Sequence, residues 1–183
     1  MADDNLFAVA LVTPERILVS GLATEVVLRT GEGDSTYLAG HTPLVGTVEP
    51  GVVRVVRAEG EETRVAVHGG FVQVEHRRDS GSDVKQATTS VTVLVGVAEL
   101  AEEIDADRAR AALEAAEARI TELGGSPGRS AGSGGHGGSG QGAGGQGEDD
   151  TLDPELADAD AAALRARVRL EAVDATTGAG APA

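Results

Sequence analysis

The sequence contains no cysteine, so no disulfide can stabilise the fold and no thiolate is available as a nucleophile or metal ligand. Aromatic residues make up only 2% of the 183 residues and tryptophan is absent, so we expect no aromatic-lined pocket and no small-molecule enzyme. No segment approaches the roughly 18 consecutive apolar residues of a membrane span. The opening MADDNLFAVALVTPE also lacks a signal-peptide pattern. We therefore expect membrane association only through a partner.

Positive charge is scarce as well. Fifteen Lys and Arg stand against 30 Asp and Glu, and the formal net charge is −15. A surface of this sign repels phosphate backbones, so nucleic acid is not expected as a ligand. The charge is uneven, with net −5 over residues 1–97 and net −10 over residues 98–183. The second half is therefore the more solvated part, or it faces a basic partner.

The first half consists of short β-branched segments separated by turn residues. Apolar and polar residues alternate in several of them, as in Val53-Arg54-Val55, which is typical of a half-buried strand. Pro50-Gly51 suits a type II turn with Gly51 at positive φ, and the polar stretch 76–90 suggests an extended surface loop. Seven segments have the length of a strand: LFAVALVT, RILVSG, TEVVLRT, GVVRVVRA, TRVAVHG, GFVQVEH and SVTVLVG. They predict an antiparallel β-sandwich domain over residues 1–97, with a barrel as the alternative.

The hydrophobic period changes to that of a helix at Ala98. We predict that residues 98–183 form an antiparallel two-helix hairpin, with helices over about 105–123 and 154–173 and a loose tail at 175–183. Asp105 and Asp153 are the expected N-caps, and Gly124-Gly125 should end the first helix. One face of that helix is apolar: Ala109, Leu113, Ala116, Ile120 and Leu123.

A Gly-rich segment over residues 124–150 separates the two predicted helices. Almost nothing in it can be buried, and we predict a flexible, disordered insertion. Its root-mean-square span would be roughly 30 Å at about 5–6 Å × √n. Antiparallel helices need no connection of this length. The segment is therefore expected to be an insertion into a simpler turn.

Few side chains suggest chemistry. None of the four histidines has metal-ligand spacing, so no metal is expected, and His41 is best explained as a turn residue bonded to local backbone. GRSAG at 128–132 has the letters of a nucleophile elbow without its strand and helix. Asp105 and Arg108 lie three residues apart, which suggests a helix cap with a local ion pair; a small polar site is the alternative. We expect no catalytic residue and no cofactor.

Several motifs occur in a fixed order that is more specific than any one of them: SGLATEV (20–26), GHTPLVGTVEPG (40–51), GGFVQV (69–74) and EEIDADRARAAL (102–113). Together they resemble the epsilon subunit of bacterial F-type ATP synthase over residues 6–123 and again over 153–173. The resemblance implies a non-catalytic central-stalk subunit that sits with the gamma subunit on the c-ring and supports proton-driven ATP synthesis. It also implies that the hairpin can rise toward the catalytic alpha/beta head and restrain ATP hydrolysis. The location implied is peripheral, at the cytoplasmic face of the cell membrane.

The resemblance also implies site residues. It suggests gamma or c-ring docking by Asp34, His41, Thr42 and Pro43. Nearby, Ser35, Thr36 and Ala39 depart from the family's Leu-Gly and Pro, which alters the local contact geometry.

The resemblance over the second half of the chain implies two further groups of site residues. Arg165 and Arg169 would make inhibitory contacts with the catalytic subunits. Ala115 stands where nucleotide-binding members have a further Arg, so any ATP binding is expected to be weak. The nucleotide-contact motif itself is matched by Ile104, Asp105, Arg108 and Ala109.

Two other classes of protein are compatible with the pattern. The first is a free-standing β-sandwich adaptor whose helices bind some other partner. The second is an independent enzyme, which would need a nucleophile or base beside a pocket, and the sequence offers none. Co-purification with gamma and membranes would separate the rotor subunit from the adaptor.

Overall fold

The computed structural model describes residues 5–78, 87–127 and 153–177, which form a β-sandwich followed by two helices. A short 3-10 turn at Ala101–Glu103 precedes helix α1 (Ala106–Glu122), and helix α2 (Pro154–Thr177) comes last. The strands are β1 (Phe7–Val12), β2 (Ile17–Ala23), β3 (Glu25–Thr30), β4 (Gly33–Tyr37), β5 (Leu44–Val48), β6 (Gly51–Val56), β7 (Glu62–Val67), β8 (Gly70–Arg78), β9 (Ala87–Val95) and β10 (Ala98–Leu100).

The strands form two five-stranded sheets. Sheet A has the order β2-β1-β9-β8-β5, and sheet B has the order β10-β7-β6-β3-β4. Neighbouring strands are antiparallel except β1 and β9, which run parallel. The predicted fold, an N-terminal β-sandwich with two C-terminal helices, is therefore confirmed.

The core between the sheets is made largely of valine. Val53 and Val55 are fully buried, while Arg54 lies between them on the outer face, as the alternation predicts. Phe7 and Tyr37 supply the aromatic rings of this core. Phe71, the third aromatic residue, points outward and is 57% exposed. Small β-branched side chains let the two sheets pack closely along their whole length.

Three strands were not predicted. β4 (GDSTY) and β10 (AEL) are short and carry little β-branched signal, and the short β5 (LVGTV) is interrupted by Gly46. They form at the sheet edges because each pairs with a strand of stronger pattern. Because of β10 the sandwich continues to Leu100, whereas the sequence predicted that the helical part begins at Ala98.

Two predictions about connections are wrong. Residues 76–78 and 87–90 extend β8 and β9 as a paired hairpin, whereas a loop was expected over 76–90; residues 79–86 lie outside the described part. Gly51 does not adopt positive φ but begins β6. The reason for glycine at position 51 is space, since a Cβ there would lie 3.3 Å from Cβ of Arg29.

The predicted helix ends are confirmed where the structure describes them. Asp105 caps α1 by accepting from the backbone N–H of Arg108 at 3.0 Å. Gly124, at φ 79°, ends α1, with N–H groups of Gly124 and Gly125 bonded to the carbonyls of Thr121 and Ile120.

The second helix begins as predicted and ends later. Asp153 accepts from the N–H of Glu155 at 3.0 Å, and Pro154 occupies the first position of α2. The helix continues to Thr177, beyond the predicted end near residue 173 and into the predicted loose tail. The predicted linker from residue 128 onward and the tail from residue 178 lie outside the described residues.

Gly70 provides a test of how closely the start of β8 approaches the end of β9. A Cβ at this position would clash with the carbonyl oxygen of Leu94 and lie 2.8 Å from Cγ1 of Val95. We predict that Gly70→Ala lowers the free energy of unfolding by about 1–3 kcal/mol, because the strands must move apart. Chemical denaturation would measure it.

The matched control is Gly96→Ala. Nothing lies within 4 Å of a Cβ at Gly96, so its unfolding free energy should change by less than about 0.5 kcal/mol. Equal stability of the two variants would contradict the close approach at Gly70.

Candidate docking and nucleotide sites

The turn between β4 and β5 is held by a set of specific hydrogen bonds. The N–H of Gly40, at φ 80°, donates to Oγ1 of the buried Thr89 at 2.8 Å. Nδ1 of His41 donates to the carbonyl of Thr42 at 2.9 Å, which confirms the local backbone bond expected for this imidazole. Nε2 of His76 donates to the carbonyl of His41 at 2.8 Å. These bonds fix the turn to β9, which carries Thr89, and to β8, which carries His76.

His41, Thr42 and Pro43 follow one another on this turn. Thr42 and Pro43 are exposed, and the half-buried His41 ring lies 4.9 Å from the ring of Tyr37. A fixed turn with exposed side chains can act as a contact surface. The described hydrogen bond of the imidazole goes to the backbone of Thr42 and orients the ring on the turn.

Asp34 lies elsewhere. It is on β4 opposite Arg29, and its Oδ1 accepts from Nε of Arg29 at 3.2 Å. Nη2 of the same Arg29 lies 3.8 Å from Glu171 of α2. Asp34 therefore belongs to the face of sheet B that α2 covers, and the turn and Asp34 are separate features.

The outer face of sheet A carries exposed apolar side chains in register. Ile17 pairs with Val12, Val12 with Leu94, and Leu94 with Phe71, across strands β2, β1, β9 and β8. We call Ile17, Val12, Leu94 and Phe71 the apolar row. Ile17, Leu94 and Phe71 are 63%, 46% and 57% exposed. Adjacent apolar side chains left in water across four strands are typical of an interaction surface.

The apolar row was missed in the sequence, although a signal for it was present. In VTVLV, Leu94 stands between two buried valines, so the alternation of apolar and polar residues fails there. Phe71 breaks the alternation beside Val72 in the same way. A strand that is apolar on both faces is covered on both faces, by its own domain or by a partner. That inference was available before the structure.

α2 has two packing partners. Its first half packs against α1 through Ala159 and Ala163, which contact Ala116 and Ile120. Its second half packs against sheet B through Val168 and Ala172, which contact Ala66 of β7. Ion pairs flank the second contact, with Nε of Arg169 donating to Glu99 at 2.8 Å.

The matched nucleotide motif lines a cavity of about 330 Å³ between α1 and α2. Ile104, Asp105, Arg108 and Ala109 all line it, together with Arg169. Asp105 uses its carboxylate to cap α1, and the expected ion pair with the Arg108 side chain is not among the described interactions. Ala109 is 4% exposed, so it packs in the helix interface.

The charges around this cavity do not favour a polyphosphate. Three carboxylates, those of Glu99, Glu103 and Asp105, line it against the guanidinium groups of Arg108 and Arg169. Arg169 is already paired with Glu99. Glu103 is held by Arg16, whose hydrogen bond lowers the pKa of the Glu103 carboxyl and keeps it ionised. Two of the three guanidinium groups at the cavity are therefore already paired with carboxylates, which leaves Arg108 for a phosphate group.

The two arginines suggested for inhibitory contacts, Arg165 and Arg169, differ in their exposure and in their ion pairing. Arg165 is exposed, and no ion pair of its side chain is found within the described ranges. Arg169 is occupied by Glu99, and Arg167 reaches Glu117 of α1 at 2.8 Å. Arg169 becomes available to another partner only when α2 leaves sheet B.

Comparison with known proteins agrees with this architecture. A family model described as "ATP synthase, Delta/Epsilon chain, beta-sandwich domain" matches residues 6–78. The ATP synthase epsilon chain of Thermobifida fusca is 44% identical over 119 residues, which cover 64% of this chain and 79% of that one. The epsilon chain of Desulforudis audaxviator is 40% identical over 112 residues, covering 61% and 72%.

A solved structure has the same fold. A chain in the Euglena gracilis mitochondrial ATP synthase structure, OSCP/F1/c-ring, superposes with a TM-score of 0.55 and 20% identity, covering 94% of this chain and 80% of that chain. The β-sandwich is the domain that the matched family model describes for the delta and epsilon chains of ATP synthase. The chain belongs to the ATP synthase epsilon chain family.

Proposed function

We propose that this chain is a non-catalytic rotor subunit of a proton-translocating ATP synthase, where it docks the gamma subunit to the c-ring in the central stalk. The observation that carries the proposal is the apolar row on sheet A, together with membership of the epsilon chain family. The similar Euglena chain comes from an assembly named OSCP/F1/c-ring, which is consistent with such partners. Torque transmission needs a stiff surface, and a ten-stranded sandwich with a fixed turn provides one.

The docking face in this proposal is the outer face of sheet A with the turn at 40–43. Gamma covers the apolar row, because burying exposed side chains such as Phe71 and Leu94 supplies the favourable free energy of association. His41, Thr42 and Pro43 add a fixed polar rim for gamma or the c-ring. Asp34 is better assigned to the contact with α2, since its partner Arg29 also approaches Glu171.

Membrane association in this proposal is peripheral and indirect, at the cytoplasmic face, through the c-ring. Within the described ranges, neither helix is long and apolar enough to cross a membrane. The net charge of −15 would repel anionic lipid headgroups. Contact with the membrane is therefore left to the partner subunits.

The hairpin is proposed to restrain ATP hydrolysis when it leaves the sandwich and meets the alpha/beta head. The contact between α2 and sheet B is small, built from alanine and valine side chains and ion pairs that are partly or fully exposed. Release would free Arg169 and add it to Arg165, whose side chain has no ion pair among the described residues. Two guanidinium groups one turn apart could then engage acidic segments of the head.

ATP is a weak ligand of this chain in the same proposal. The cavity beside Asp105 is lined by more carboxylates than guanidinium groups, and Ala115 is exposed at the position where the family motif adds an arginine. The pairing of Arg169 and Arg16 with carboxylates and the capping role of Asp105 both oppose triphosphate binding. Nucleotide therefore contributes little to holding α2 against the sandwich.

Docking can be tested with a matched pair of substitutions. Leu94 on sheet A and Leu164 on α2 are 46% and 43% exposed, so Leu94→Asp and Leu164→Asp make the same change at similar exposure. We predict that Leu94→Asp weakens binding to gamma at least about tenfold, which corresponds to about 1.4 kcal/mol, because it buries an unpaired carboxylate. Pull-down with gamma would measure it. Leu164→Asp should bind normally, and equal binding of both variants would favour the adaptor alternative.

Restraint of hydrolysis can be tested by ending the chain at Leu100, the last residue of β10. We predict that the complex reconstituted with this shortened chain hydrolyses ATP at least about fivefold faster, the lower end of usual coupling between two sites. The docking face is retained, so gamma binding serves as the control. An unchanged hydrolysis rate with the short chain bound would contradict the proposed restraint.

Nucleotide binding can be tested by calorimetry on the full chain. We predict a Kd for ATP above about 1 mM, or less than about 4 kcal/mol of binding free energy. The comparison variant is Arg108→Ala, which removes a cavity guanidinium and leaves the Asp105 cap on a backbone N–H. Micromolar affinity in the parent chain that is lost in Arg108→Ala would show a functional nucleotide site.

A further inference from the structure

His68 lies at the edge of the contact between α2 and the sandwich. It occupies the connection between β7 and β8, where its backbone N–H donates to the carbonyl of Val97 at 3.3 Å. Both ring nitrogens, Nδ1 and Nε2, are buried and have no hydrogen-bond partner within the described ranges. A buried imidazole without a partner is costly to charge, since a second N–H would also lack an acceptor.

The charged groups that face His68 come from two neighbouring elements. α2 contributes Arg169 and Arg165, and β10 contributes Glu99. The carboxylate of Glu99 is already occupied by Arg169. Burial lowers the pKa of His68 most, Arg169 and Arg165 lower it further, and Glu99 opposes them. The arrangement favours the neutral imidazole, and the two arginines of α2 contribute to this preference.

We propose that His68 makes the contact between α2 and sheet B sensitive to protons, and that protonation of its imidazole releases α2 from the sandwich. When α2 leaves, the ring meets water and loses the two facing arginines. The released state therefore accepts a proton more readily than the docked state. A proton then acts as a ligand of the released state and shifts the equilibrium toward it.

The direction with pH follows from linkage. The pKa of His68 is lowered in the docked state and returns toward the ordinary value of about 6.5 on release. Docking is therefore unaffected well above pH 6.5 and weakens as the pH falls from about 6.5 toward the lower pKa of the docked state. One proton is involved, so the ratio of docked to released chain falls by at most about tenfold per pH unit. Below the docked pKa the ratio is constant again.

The proposal rests on the proposed mobility of the hairpin but not on any partner, so the full chain alone suffices for the test. Because the sequence has no cysteine, Glu32→Cys and Asp174→Cys introduce two unique labelling sites, both exposed, on sheet B and α2. Spin labels there report docked and released populations as a distance distribution. We expect the docked fraction to fall between pH 7.5 and pH 5.5.

The deciding variant is His68→Gln, which removes the titrating group and should abolish this pH dependence. The matched control is His76→Gln, which removes an exposed imidazole on sheet A and should leave the dependence as in the parent. Unchanged distances across the pH range, or the same pH dependence in His68→Gln, would overturn the proposal.

A second measurement covers the case in which His68→Gln fails to fold. The imidazole proton resonances of the unsubstituted chain report each histidine's pKa by NMR titration. We expect the pKa of His68 to lie below the ordinary histidine value of about 6.5, with release of α2 in the same pH range. A His68 pKa at or above the ordinary value would equally overturn the proposal.

Discussion

Alanine and valine side chains and partly or fully exposed ion pairs hold α2 against sheet B, and the position of the second half of the chain depends on them. Ala66, Val168 and Ala172 are buried in this contact, but each removes little apolar surface from water. Exposed ion pairs such as Arg29 with Glu171 contribute only about 0.2–1 kcal/mol each. The sandwich has its own valine core, separate from this contact. The hairpin needs this contact to stay in the position described.

The two sheets of the sandwich therefore have different outer faces. Sheet B is covered by α2, whose small side chains match the small residues of β6 and β7. Sheet A presents larger apolar groups, with Phe71 and Leu94 side by side and exposed. An intramolecular contact can be weak because its two sides are tethered together at high effective concentration. A contact with a separate subunit has no such advantage and needs the larger apolar area.

Sequence reasoning predicted the features that have a local cause. Asp105 as N-cap, Pro154 at the first position of α2 and Gly124 as the end of α1 follow from backbone groups within a few residues. The valine alternation likewise predicted the sandwich. β5 and β10 were missed because partner strands distant in sequence induce them, and β4 was missed because its own residues are polar although its partner β3 is adjacent. Gly51 was misassigned because its constraint is the side chain of Arg29, which only the sheet brings near.

The candidate sites likewise divide into features with a local cause, which the sequence predicts, and features set by distant parts of the chain, which it does not. The backbone bond of His41 was predicted, since its acceptor is the next residue. The separation of Asp34 from the turn, and the pairing of Arg169 with Glu99, depend on how α2 lies across sheet B, and no local pattern encodes that. His68 carried no signal either, because the arginines that face it lie on a helix about 100 residues further along the chain.

The double pairing of Arg29 has a consequence for the speed of α2 movement. Arg29 contacts Glu171 on α2 and Asp34 on its own sheet, so departure of α2 leaves the guanidinium with a counter-ion. For Arg29, loss of Glu171 therefore adds little to the barrier to separation. On the return path, Arg165 and Arg169 approach a sandwich surface that holds Glu99, and opposite charges accelerate encounter at low ionic strength. Repeated cycles of detachment and reattachment are therefore favoured kinetically, and their rate should depend on salt more than the stability of the sandwich does.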